Sequence, residues 1–137
     1  RSLGDTTSRL DHNEPELNRS QPGDPRDTTT PAAMAGNLRR LVAGEALSPA
    51  SRALLTDWMV NCKTGANRLR GGLPAGWKIG DKTGNNGKDA SGDIAVAWPK
   101  PDTPILIAAY TQGGTPSAAQ ITSAFARIGR MVAERLA

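Results

Sequence analysis

The sequence predicts an α+β fold, helices combined with an antiparallel sheet, and three observations carry that prediction. Thr30-Pro31 and Ser48-Pro49 each pair a capping hydroxyl with a proline and lead into apolar residues at helical spacing. Trp77–Thr83, Asp93–Trp98 and Ile105–Thr111 read as strands, joined by turns at Asn85-Asn86-Gly87 and Pro99–Pro104 that are short enough for antiparallel neighbours. The chain closes on an amphipathic stripe, so the predicted order is polar loop, two helices, three strands, one helix.

Residues 1–30 hold three large apolar residues, Leu3, Leu10 and Leu17, spaced by seven. Gly4, Pro15 and Pro22-Gly23 break any long helix there, which leaves a helix end followed by a long polar loop of the kind that is either functional or disordered. In the first helix Met34, Leu38, Leu41 and Val42 share a face, and Gly44 ends the run. In the second, Leu54, Leu55, Trp58 and Met59 form the apolar face. A Gly- and Arg-rich connection runs from Lys63 to Gly76. In the last helix Ser117 and Gln120 fit a capping box, and Ile121, Phe125, Ile128, Val132 and Leu136 form one stripe. The expected division is 1–76, polar loop and helices, and 77–137, strands and final helix. Three strands with one helix behind them leave an edge and a face to be covered, so the chain reads as a partial fold.

Composition narrows the function. Leu, Ile, Val and Phe make up 23 of 137 residues against 20 alanines, a thin core for this length. One cysteine, Cys62, rules out an internal disulfide and a cysteine zinc site, and one histidine, His12, argues against a His-cluster metal. The longest apolar runs, Ile94–Trp98 and Ile105–Tyr110, fall far short of a membrane span. The 17 basic residues are scattered among 13 acidic ones, so the net charge of +4 does not suggest nucleic acid.

Two constellations carry chemistry. In Arg9-Leu10-Asp11-His12-Asn13-Glu14-Pro15-Glu16-Leu17-Asn18, carboxylates crowd a polar loop and an amide lies four residues after Glu14. A carboxylate and an amide can together hold a water for general-base attack; from composition alone the plainer reading is a surface loop with solvated charges. In Asp81-Lys82-Thr83-Gly84, a lysine and a hydroxyl at a strand end can bind a carboxylate, and the glycine admits a ligand close to the backbone. Alone, Lys-Thr-Gly is more often a strand-to-turn exit than a site.

Taken together and in this order, these segments resemble the class A serine β-lactamases. Arg9 to Asn18 resembles the family's omega loop. Asp24-Pro25-Arg26-Asp27-Thr28-Thr29-Thr30-Pro31 resembles the exit of that loop, and Asp57-Trp58-Met59 and Leu69-Arg70-Gly71-Gly72-Leu73-Pro74 fit the family's next segment. The resemblance implies the serine β-lactamase/penicillin-binding-protein-like architecture, an antiparallel sheet flanked by helices plus a helical region, and hydrolysis of β-lactam antibiotics through an acyl-enzyme, with no metal or cofactor, in a periplasmic or secreted protein. By the same resemblance Glu14 is the base that activates the deacylating water and Asn18 helps hold that water. Lys82, Thr83 and Gly84 bind the substrate carboxylate, with Arg68 as the supporting arginine, and the backbone N–H of Asn85 is an oxyanion-hole donor. Arg9 and Asp27 form the ion pair closing the loop's base, and Glu14-Pro15 is a bond that can be cis.

The chain also departs from the family pattern. No Ser has Lys three residues later, and Ser-Asp-Asn is absent. The resemblance therefore implies a C-terminal half whose partner is a complementary N-terminal segment carrying Ser-x-x-Lys and Ser-Asp-Asn. Asn85-Asn86 comes after Lys-Thr-Gly where smaller residues are usual, which bears on substrate range. His12 is expected to face solvent, and Cys62 to be a buried inert thiol. The rival readings are a penicillin-recognising D-Ala-D-Ala peptidase, which Glu14 and Asn18 argue against, and an inactive fragment that only associates with its complementary half.

Overall fold

The computed structural model describes residues 2–19, 21 and 23–136, so Pro22 of the Pro22-Gly23 breaker lies outside the described residues. Three antiparallel strands, β1 (Lys78–Asn85), β2 (Ala90–Trp98) and β3 (Ile105–Gln112), lie in the order β1-β2-β3. The register pairs Ile79 with Ala97 and Thr83 with Asp93, then Ala95 with Ile107. β2 starts earlier than its apolar run suggests, because Ala90, Ser91 and Gly92 pair with the ends of its neighbours. A Cβ on Gly92 would stand 2.6 Å from the Tyr110 ring, so any larger residue there must displace that ring.

Helices cover both faces of the sheet, which is why β2 is buried along nearly its whole length. On one face, α1 (Pro31–Val42) and α2 (Pro49–Val60) bury Leu38, Val42 and Met59 against Val96. Both helices start at their sequence signals. Thr30, in extended conformation, accepts from Ala33 N–H at 3.2 Å, and Ser48 accepts from Ser51 N–H at 3.2 Å. The apolar face expected for α2 is corrected: Met59 is buried and Leu55 partly so, whereas Leu54 and Trp58 are exposed. The sheet reaches only one flank of α2, where a Cβ on Gly80 would meet Met59 Cβ at 2.9 Å.

On the other face, α3 (Leu69–Gly72) and α4 (Ala118–Leu136) enclose a core of Leu69, Leu73, Ile79, Ala95, Ala97, Ile107, Ala109 and Phe125. α3 is a single turn inside the segment that reads as a connection. Its helix–helix contact is backbone on backbone, since a Cβ on Gly72 would lie 1.8 Å from Ala126 O and one on Gly129 2.3 Å from Leu69 O. α4 opens with the capping box: Ser117 N–H donates to Gln120 Oε1 at 2.8 Å, and Gln120 N–H donates to Ser117 Oγ at 3.3 Å. Its stripe ends earlier than predicted, with Phe125 fully buried and Leu136 exposed. Among the described residues no helix is long and apolar enough to cross a membrane.

Candidate functional site

The loop before α1 is closed at its neck by hydrogen bonds running in both directions. Asp27, at φ +54, turns its Oδ1 to the backbone N–H groups of Asp11 (2.7 Å) and His12 (3.0 Å), and Asp27 N–H donates to Asp11 Oδ2 at 3.0 Å. The His12 ring completes the closure, with Nδ1 2.5 Å from Asp27 Oδ2. The Arg9–Asp27 pair expected from the sequence does not form. Arg9 Nη2 reaches Asp11 Oδ1 at 2.6 Å, two residues along the same arm of the loop, and meets the far side of the neck only through its backbone N–H on Thr28 O at 2.9 Å. His12 is likewise not a solvent-facing side chain but half-buried against Asp27.

Each neck carboxylate has its own cation or donor. Asp11 is held below the usual range first by the Arg9 hydrogen bond, Asp27 first by the His12 ring, and Asp24 is lowered to about 2 first by Arg26, which it meets at 2.6 Å.

Beyond the neck, Glu14-Pro15 is cis and a 3-10 turn spans Glu16–Arg19. Leu17 N–H on Asn13 O (3.1 Å) and Asn18 N–H on Pro15 O (3.2 Å) wind the segment back on itself. That winding brings the two residues four apart into contact: Asn18 Nδ2 donates to Glu14 Oε2 at 2.6 Å, open to solvent.

The second group lies at the exit of β1. Strand alternation puts Ile79, Asp81 and Thr83 on the α3/α4 face and leaves Lys82 exposed on the other side. Lys82 Nζ donates to Thr83 O at 2.8 Å, and the hydroxyls of Thr83 and Thr64 meet at 2.6 Å. Arg68 stands beside this strand exit. Its Nη1 donates to Gly84 O (3.3 Å) and Gly92 O (2.8 Å), and its guanidinium lies 5.5 Å from the centre of the Phe125 ring. Asn85 ends β1 opposite Ser91, with its side-chain carbonyl on Gly87 N–H at 3.0 Å. Arg68, Asn85, Lys88 and Ser91 line a cleft of about 350 Å³ with the start of α4. A cleft of about 760 Å³ lies behind the loop neck and is not lined by Glu14, Asn18, Lys82 or Thr83. Among the described residues no hydrogen bond or ion pair joins the Glu14 group to the Lys82 group. Cys62 is half-buried, its Sγ 3.4 Å from the Thr64 hydroxyl.

Sequence reasoning missed the support beneath the β1 exit. Asp81 is fully buried and accepts from Arg70 Nε at 2.6 Å, while Arg70 Nη2 also holds the carbonyls of Met59 (3.2 Å) and Val60 (3.1 Å) at the end of α2. Asp93, also fully buried, accepts from Leu69 N–H at 3.0 Å, and burial pushes its carboxyl up to about 7. The available signal was alternation: a strand that points Ile79 into the core points Asp81 there too. No group of three or more His, Cys, Asp or Glu side chains able to hold a metal occurs among the described residues.

A family model described as "Beta-lactamase enzyme family" matches residues 1–136. The chain belongs to that family. It is 52% identical over 137 residues to beta-lactamase L2 of Stenotrophomonas maltophilia, covering 99% of this chain and 45% of that protein. It is 58% identical over 108 residues to a beta-lactamase of Mycobacterium tuberculosis, covering 79% of this chain and 35% of that one. Among solved structures, an ancestral class A β-lactamase superposes with a TM-score of 0.94 at 54% identity, over 99% of this chain and 52% of its own. The architecture is therefore that of class A β-lactamases, and the chain spans about half the length of the relatives it matches.

Proposed function

We propose that the whole protein hydrolyses the β-lactam amide through a serine acyl-enzyme, conferring antibiotic resistance, and that this chain supplies the deacylation base and the substrate-carboxylate site. The observation that carries the reading is the Glu14–Asn18 contact at 2.6 Å on a wound turn above a closed neck. An acyl ester in an enclosed site needs an activated water, and a carboxylate with an amide donor beside it can accept that water's proton and hold its oxygen. In this reading the segment holding Glu14 and Asn18 is the omega loop. Lys82, Thr83 and Arg68 provide cations and a hydroxyl for the substrate carboxylate, with Gly84 leaving the approach open. The backbone N–H of Asn85 donates to the oxyanion as the carbonyl becomes tetrahedral.

The nucleophile, its lysine and the second oxyanion donor would come from a complementary N-terminal segment. Residues 1–76 would belong to the omega loop and helical region and residues 77–137 to the sheet region. The site of action would be the periplasm or the cell exterior, where these antibiotics act.

The test is Glu14→Ala in the intact protein. Its serine should still be acylated by a penicillin, while release slows by about 10²–10⁴-fold, the usual worth of general-base assistance. Mass spectrometry after a penicillin pulse should show the protein plus one intact ligand mass. Turnover at the parent rate with no adduct would remove Glu14 from the mechanism.

A further inference from the structure

We propose that Thr64 is a positioning residue for the substrate carboxylate: its hydroxyl donates to Thr83 Oγ1 and so leaves the single proton of Thr83 free for the ligand. The inference rests on the reading of Thr83 as a carboxylate anchor and adds a residue through which that anchor works. The two hydroxyls meet at 2.6 Å although 19 residues separate them, and Cys62 Sγ lies 3.4 Å from Thr64 Oγ1. Among the described residues these are the only hydrogen bonds that either hydroxyl makes. A thiol and two hydroxyls thus form a short chain that ends at the exit of β1.

Backbone contacts put Thr64 in place. Cys62 N–H donates to Met59 O at 3.2 Å as α2 ends, and Arg68 N–H donates to Gly65 O at 2.9 Å as the chain turns toward α3. Between these two bonds Gly65 is buried against β1 with no room for a side chain, since a Cβ there would fall 1.6 Å from Asp81 Oδ2. The segment is therefore seated on the strand one residue after Thr64 and two residues before Thr83. Thr64 cannot withdraw from Thr83 without carrying Gly65 off the strand.

The direction of the chain follows from counting protons. A hydroxyl has one proton and two lone pairs, and a carboxylate only accepts. If Thr83 donated to Thr64, its one proton would be spent inside the protein, and its oxygen would face the substrate carboxylate lone pair to lone pair. If Thr64 donates to Thr83, the Thr83 proton is free for the carboxylate, and the bond it receives polarises the bond it gives. The other neighbour of Thr64 decides between the two. Thiol sulfur is a weak acceptor, so it does not draw the Thr64 proton away from Thr83, while its S–H donates weakly to the Thr64 oxygen. The chain runs from Cys62 through Thr64 and Thr83 to the ligand. Lys82 supplies the charge beside it: with one N–H on Thr83 O at 2.8 Å, its ammonium keeps two donors.

The experiment is steady-state hydrolysis of a penicillin and of its methyl ester by the intact protein, in the parent, Thr64→Val and Thr64→Ser. Valine keeps the shape of threonine and removes the donor. For the acid, KM should rise about fivefold in Thr64→Val, the worth of one ordinary hydrogen bond, with kcat little changed, and Thr64→Ser should restore it. For the ester, which carries no carboxylate, the parent and Thr64→Val should agree. An unchanged KM for the acid would overturn the proposal, and so would equal rises for acid and ester, which would make Thr64 a structural residue only. Thr64→Ala, a truncation at an exposed position, replaces valine if that variant does not fold. Cys62→Asp tests the direction separately. An aspartate takes the Thr64 proton, Thr83 then donates to Thr64, and KM for the acid should rise about tenfold or more as a hydrogen bond to a charged group is lost. The same change in a Thr64→Ala background reports charge repulsion alone and should raise KM less; equal rises in the two backgrounds would refute the assigned direction. Failure of the reading beneath the proposal has its own signature: a parent protein with the same KM for acid and ester has no carboxylate anchor at Thr83, and the role of Thr64 falls with it.

Discussion

Phe125→Ala is the substitution that should damage this fold most for its size. Phe125 is fully buried where α4, α3 and the sheet meet. Removing a buried aromatic ring costs about 3–5 kcal/mol, depending on how far the surroundings collapse into the space left. Here collapse is restricted. Three of the residues enclosing that core, Ala95, Ala97 and Ala109, have no side-chain torsion with which to move inward, and Gly72 and Gly129 already hold the helices in backbone contact. The loss should fall in the upper half of the range, about 4–5 kcal/mol, with about 0.5–1 kcal/mol of it from the Arg68 guanidinium that lies over the ring. Phe125→Leu refills most of the volume and should cost about 1.5 kcal/mol. The assay is equilibrium urea unfolding of the intact protein, monitored through the fluorescence of Trp77, which packs against this core. A loss below about 2 kcal/mol for Phe125→Ala, or equal losses for the two variants, would refute the argument that an alanine-lined core cannot relax.

Gly129→Ala should cost about 3 kcal/mol in the same assay, because its Cβ would stand 2.3 Å from Leu69 O and must push α3 off α4; a loss under about 1 kcal/mol would mean the two helices part freely. His12→Ala should raise hydrogen exchange across residues 10–19, while His12→Asn, whose amide nitrogen sits near the Nδ1 position, should keep protection; equal exchange in all three proteins would show that the backbone bonds to Asp27 close the neck unaided. Asp11, Asp24 and Asp27 titrate below their ordinary value, so their contribution to loop order is present above about pH 4 and is lost as the pH falls through their folded values. Proteolysis within the loop should therefore quicken between about pH 4 and about pH 2 with an acid-tolerant protease, and a flat profile would remove these carboxylates from the closure.

The sequence by itself determined the elements whose causes are local. Thr30-Pro31, Ser48-Pro49 and the Ser117/Gln120 capping box each place donor and acceptor within three residues, and the observed helices begin at those signals. The three strands and their antiparallel order came from short apolar runs and short turns. The motif residues were legible too, because their identity and spacing are fixed along the chain: Glu14 and Asn18 come into contact through a single turn of backbone.

Tertiary structure decided what depends on partners distant in sequence. Loop closure by His12 rather than Arg9 could not be read from spacing, since it depends on Asp27, 15 residues along the chain, meeting the His12 backbone N–H and ring while Arg9 turns to Asp11. The turn of α3 is set by Asp93, 24 residues after the Leu69 N–H it accepts from, and by Gly72 and Gly129 meeting across two helices, so it left no helical period in a Gly- and Arg-rich stretch. Leu54 and Trp58 satisfied the helical period on α2 yet stayed exposed, because period defines a face and only the sheet's position defines what covers it. Asp81 and Asp93 are the clearest case. Alternation puts Asp81 on the face of Ile79, but that both carboxyls are buried depends on α3 and α4 covering that face, a matter of packing.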